Sequence, residues 1–125
     1  MQRPFELRGR IRSFKYAFRG LVTMLASQHN AWIHAAATVV VLIAGGVVGL
    51  SRAEWCWIVL AIMAVWTAEA LNTAFEFLAD VASPEFHPLV EKAKDVSAGA
   101  VMLSALGSLV IAGLVFWPHL VRAFG

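Results

Sequence analysis

Three long apolar runs, at 31–50, 55–80 and 96–117, constrain this chain more than any other feature. Each approaches or exceeds the roughly 20 residues that a helix needs to cross the hydrocarbon core of a bilayer. Inside lipid every backbone polar group has to be bonded within its own segment or to a closed neighbour, so runs of this length are expected as helices. Composition agrees: 60% of the residues are hydrophobic and only 14% are charged, well below the share in a soluble domain. The expected fold is all-α and integral to a membrane, with an N-terminal surface helix over 8–28 and three transmembrane helices. No linker, low-complexity tract or internal repeat divides residues 1–125, so a single domain is expected. The lone Cys56 excludes disulfide frameworks and thiolate metal sites, and within its apolar run it reads as a small filler.

Charge distribution sets an expected topology. Six basic residues precede Gln28 (Arg3, Arg8, Arg10, Arg12, Lys15 and Arg19), Arg52 lies in the first loop, Lys92 and Lys94 in the second, and Arg122 at the end. With three spans, the N-terminus and second loop share a side that carries eight basic residues against two opposite. The positive-inside rule places that richer side in the cytoplasm. In the first segment Ile11, Phe14, Phe18, Leu21, Val22 and Leu25 fall within about 100° of a helix, with Arg12, Lys15 and Arg19 on one flank. A basic amphipathic helix too polar to span is expected to lie in the headgroup region.

The second run carries the chemistry. Residues 55–68 contain no charge, and then Glu69, Asn72, Thr73, Glu76 and Asp80 fall within about 100° of one another on a helix. Carboxylates near lipid are costly and face a bundle interior, a water-filled cavity or a partner. A purely structural seam between helices would be built more cheaply from Ser, Thr or Gly. On the preceding helix Asn30 and His34 lie one turn apart and could bond to this stripe, for which a structural role is the simpler reading. Gly45, Gly46 and Gly49 in the first span, and many Gly, Ala and Ser residues in the third, are expected to permit close helix approach. Ser51 and Glu54 have the spacing of a capping box, Trp55 and Trp57 fit an outer interfacial belt, and Trp117 with Pro118 is expected to end the third span.

Separated carboxylates beside Lys94 and Asp95 at a cytoplasmic membrane face suit phosphoryl transfer. That reaction asks for a divalent cation, a carboxylate to take a hydroxyl proton, and cations for the phosphates. No Walker motif or protein-kinase glycine loop is present. From the residues alone, a transporter with an ion site near Glu69 fits almost as well.

Four blocks narrow this. They are the segment from Ser13 to Leu21; Asn30 with Ile33 and His34; Glu69, Asn72 and Glu76; and Glu85 with His87 followed by Ala93, Lys94 and Asp95. Together they resemble the prokaryotic diacylglycerol kinase family, which includes undecaprenol kinases, over about residues 12 to 117. The resemblance implies a homotrimer in the bacterial cell membrane, with active sites shared between subunits on the cytoplasmic side. Its implied partners are ATP, Mg²⁺ and a membrane lipid alcohol; nucleic acid is not among them. Glu69 is implied as general base, with Asn72 beside it in the catalytic centre. Glu76 is implied to bind the metal that carries ATP, and Tyr16, Arg19, Glu85, His87, Lys94 and Asp95 to contact the nucleotide. The wording of the blocks leans toward undecaprenol over diacylglycerol as substrate.

One position departs from the family pattern. A second acidic metal ligand is usual where this chain has Gln28. A carboxamide oxygen still coordinates Mg²⁺, but without charge. A kinase fold disabled at its metal site is therefore the alternative of another class.

Overall fold

A computed structural model of the chain describes residues 4–125, and Arg3, one of the basic residues counted above, lies outside them. Four helices follow in order: α1 (Leu7–Ser27), α2 (His29–Val48), α3 (Arg52–Ala82) and α4 (Pro88–Phe124). The last three are long and apolar enough to cross a membrane. At 1.5 Å per residue, α3 and α4 are about 46 and 55 Å long, against a hydrocarbon core of about 30 Å. Both therefore protrude, and the first two turns of α4, before its apolar run, stand outside the lipid.

α1 is amphipathic and its apolar face is open: Ile11, Phe14, Phe18, Leu21 and Val22 are all exposed, and Met24 is the only buried residue of the helix. Such a face is stable only against lipid or another protein surface. A single extended residue, Gln28, separates α1 from α2, and its N–H caps the carbonyl of Met24. That short joint swings the basic helix away from the bundle and fixes Gln28 at the corner.

α3 is the central rod, packed most extensively on α4 and also against α2 and α1. Its start is the expected capping box: Glu54 N–H donates to Ser51 Oγ (3.2 Å), and Ser51 N–H to Glu54 Oε1 (3.1 Å). The apolar core at this end joins Leu50, Ile58 and Val115, with Trp55, Ile62 and Phe116 against them. Trp55 thus turns inward instead of joining Trp57 in the interfacial belt. The reason is Gly45: a Cβ there would come 2.6 Å from the Trp55 ring and 2.9 Å from Leu50. Gly49 has a different task, ending α2 in the left-handed region at φ 71°. Gly46, Gly99, Gly107 and Gly113 have open space around them, so the close approach expected of each is not made within one chain. Cys56 is exposed and fills no gap.

Gly45→Ala is expected to destabilise the protein by about 1–3 kcal/mol, because a rigid indole has to move to admit the methyl group. Thermal unfolding in detergent, followed by near-ultraviolet circular dichroism, measures it.

α4 begins at His87, whose Nδ1 accepts the Leu89 N–H (3.2 Å), with Pro88 at the first helical position. The helix continues past Pro118, where the third span is expected to end, to Phe124. Continuing the helix keeps the later carbonyls bonded; Arg122 Nε donates to the Pro118 carbonyl (3.2 Å). His119 meets Glu54 at 2.8 Å and clasps the start of α3 to the last turns of α4.

Candidate active site

The polar stripe of α3 grades from buried to exposed. Glu69, Asn72 and Thr73 are buried, Glu76 is half-buried, and Asp80 is exposed. From Glu69 to Asp80 the rise is about 16 Å. This gradient follows from the helix leaving the bundle as it climbs toward the loop, since α3 runs past the end of its apolar stretch.

Partners for the stripe come from every neighbouring element. His34 of α2 brings Nε2 to 3.3 Å from Glu69 Oε2. The approach is not aligned for a hydrogen bond, so that nitrogen and both Glu69 carboxylate oxygens are buried without one. Ser97 of α4 donates to Asn72 Oδ1 (2.8 Å), and Thr73 donates to the Glu69 carbonyl (2.9 Å). Gln28, at the α1–α2 corner, donates through Nε2 to Glu76 Oε2 (3.2 Å). Lys94 donates to Asp80 Oδ1 (2.7 Å). Donating this hydrogen bond to Asp80 raises the pKa of the Lys94 ammonium above its ordinary value, so it is charged at neutral pH.

Lys94 and Ser97, one turn apart on α4, thus face the stripe from the same side. Ser97 was legible only as a small residue that slims the helix; its spacing from Lys94 was the signal for its contact with Asn72. The remaining expected nucleotide residues are not joined to the stripe by hydrogen bonds or ion pairs among the described residues. Tyr16 and Arg19 are exposed on α1, with the Arg19 guanidinium 5.4 Å from the centre of the Tyr16 ring. Glu85 lies in the α3–α4 turn, where its carbonyl accepts from Ser83 Oγ (2.8 Å). His87 is occupied as the cap of α4, and Asp95 is exposed.

Among the described residues no three His, Cys, Asp or Glu side chains gather as a metal cluster. The Glu76–Gln28 pair nevertheless suits Mg²⁺, a hard cation held by one or two carboxylates together with waters and phosphate oxygens. Both side chains offer oxygen donors, although Gln28 currently turns its N–H toward Glu76.

A model of the prokaryotic diacylglycerol kinase family matches residues 15–116. The chain belongs to that family. It is 42% identical over 115 residues to the undecaprenol kinase of Bacillus subtilis, covering 92% of this chain and 94% of that protein. It is 34% identical over 109 residues to a diacylglycerol kinase of Synechocystis, covering 86% of this chain and 62% of the relative. The diacylglycerol kinase of Escherichia coli K12 is 27% identical over 119 residues, covering 87% and 89%. Within this family of membrane kinases, the α3 stripe is the one place in the described residues where carboxylates from the membrane interior reach the surface in a continuous line. Kinase relatives give no support to a non-catalytic reading of Gln28.

Proposed function

We propose that the protein is a lipid kinase that transfers the γ-phosphoryl group of ATP to the hydroxyl of a membrane lipid alcohol at the cytoplasmic face. The observation that carries this reading is the meeting of an apolar groove with the polar stripe. A groove of about 470 Å³ between α3 and α4, lined by Leu60, Met63, Leu71 and Ala100 among others, ends at Asn72 and Ser97. A lipid tail in that groove would bring its headgroup to the buried end of the stripe. ATP would approach the exposed end, where Lys94 offers positive charge. Cytoplasmic orientation rests on the excess of basic residues at the N-terminus and second loop.

In this mechanism Glu69 accepts the hydroxyl proton and Asn72 orients the reacting group. Glu76 and Gln28 would hold a Mg²⁺ ion. When bound, the ion would neutralise charge on the phosphates. Tyr16, Arg19, Glu85, His87 and Asp95 would complete the nucleotide side. A homotrimer that shares its sites would cover the open apolar faces of α1, α2 and α4 and bring those residues nearer the stripe. Undecaprenol is the preferred substrate, on the 42% identity to an undecaprenol kinase; diacylglycerol is the second. Supplying undecaprenol and diacylglycerol in competition, with labelled ATP, tests the choice. Predominant labelling of undecaprenol is expected, and predominant labelling of diacylglycerol would reverse the order.

Gln28→Glu is expected to lower the Mg²⁺ concentration for half-maximal activity and to raise kcat. The change replaces a donor to Glu76 with a second carboxylate; without metal the two repel, and a cation removes the repulsion. Activity against Mg²⁺ concentration for both forms measures it, and superimposable curves would remove Gln28 from the cation site.

A further inference from the structure

Glu76 and Asp80 each have a hydrogen-bond partner for the carboxylate, but Glu69, the deepest acid of the stripe, has none. Glu69 is 0% exposed. Isolated in this way, a carboxylate is costly, and a base that receives a proton there has no direct contact with water through which to lose it. Among the described residues His34 is the only basic side chain within ion-pair range of Glu69. Along the same helix, Glu76 is engaged by Gln28 and Asp80 by Lys94, while α4 contributes the neutral Ser97 at Asn72.

The backbone at His34 is tied to α3 through Thr38. Thr38 Oγ1 donates to the His34 carbonyl (2.7 Å), and Trp66 Nε1 of α3 donates to Thr38 Oγ1 (3.0 Å). This chain pins α2 to α3 one turn beyond the imidazole. The His34 side chain is 15% exposed, so the imidazole, unlike the carboxylate, is not fully closed off.

We propose that His34 is the proton-accepting partner of Glu69: it takes over the proton that the carboxylate receives. The inference rests on Glu69 being the general base. In the transfer, the lipid oxygen bonds to the γ-phosphorus as its O–H bond breaks. The bond from the γ-phosphorus to the bridging oxygen also breaks, and that oxygen leaves with ADP. The hydroxyl proton goes to Glu69, then to Nε2 of the neutral imidazole, and the resulting imidazolium releases one proton to water. Histidine suits this task because one ring nitrogen can accept a proton while the other gives one up.

The test compares His34→Leu, His34→Gln, Glu69→Gln and the double variant His34→Leu with Glu69→Gln, in purified protein reconstituted with lipid alcohol. His34→Leu is expected to lower kcat roughly 10–100-fold with little change in KM for ATP or lipid. His34→Gln, which keeps a polar group of similar size but has no basic nitrogen, should show the same loss; recovery of wild-type kcat in it would overturn the proposal. The double variant should be no slower than Glu69→Gln alone, because a residue that acts through Glu69 has nothing left to act on. Losses that multiply in the double variant, unchanged kcat in His34→Leu, or an effect confined to KM would each overturn the proposal. Should His34→Leu fail to fold, by thermal unfolding and assembled size, His34→Gln combined with Glu69→Gln carries the same comparison. Wild-type turnover in Glu69→Gln alone would instead refute the general-base reading, and the role of His34 with it.

Discussion

Glu69→Gln is expected to reduce lipid phosphorylation about 10²–10⁴-fold, the usual contribution of a positioned general base. The substitution keeps the size and shape of a side chain that is wholly buried, so packing around it should change little. It also removes a carboxylate that has no hydrogen-bond partner, a change that can be neutral or favourable for stability. Loss of turnover with an unchanged or raised Tm would therefore be a loss of chemistry, not of fold. ATP binding should survive, since the nucleotide end of the stripe lies about 10 Å further along α3. Turnover and ATP affinity, measured on the same preparation, separate the two. Near-normal turnover would exclude Glu69 as the base.

The second large effect is expected at Glu76. Glu76→Ala removes the one carboxylate of the proposed cation site and leaves Gln28 Nε2 without its acceptor. A single neutral carboxamide is a poor site for Mg²⁺, so binding of Mg²⁺-ATP should weaken roughly 10-fold or more, while ATP without metal should be affected much less. Equilibrium binding of a fluorescent ATP analogue, with and without Mg²⁺, measures the difference. Equal losses under both conditions would mean that Glu76 contacts the nucleotide directly and not through a cation.

Much of this arrangement is legible in the amino-acid sequence. The apolar runs specify membrane helices because lipid leaves the backbone no alternative, and the positions of Glu69, Asn72, Thr73, Glu76 and Asp80 share a face by helical period alone. What period cannot show is which neighbour answers each residue. Gln28 and Glu76 are 48 residues apart, and their contact depends on a one-residue joint between α1 and α2. His34 was visible as a polar group near the stripe, yet its approach to Glu69 is set by the pinning of α2 through Thr38 and Trp66. Trp55 departs for a local reason: an aromatic at a span's end suggests the interface until a facing glycine makes room for it.

Transfer of the γ-phosphate from labelled ATP to undecaprenol, by purified wild-type protein and by Glu69→Gln in the same lipid bilayers with Mg²⁺, tests the central claim most directly. The expected result is a labelled polyprenyl phosphate from the wild type and almost none from the variant. Equal labelling by both forms, or no labelling of any lipid alcohol by the wild type, would contradict the stripe on α3 as a site of lipid phosphorylation.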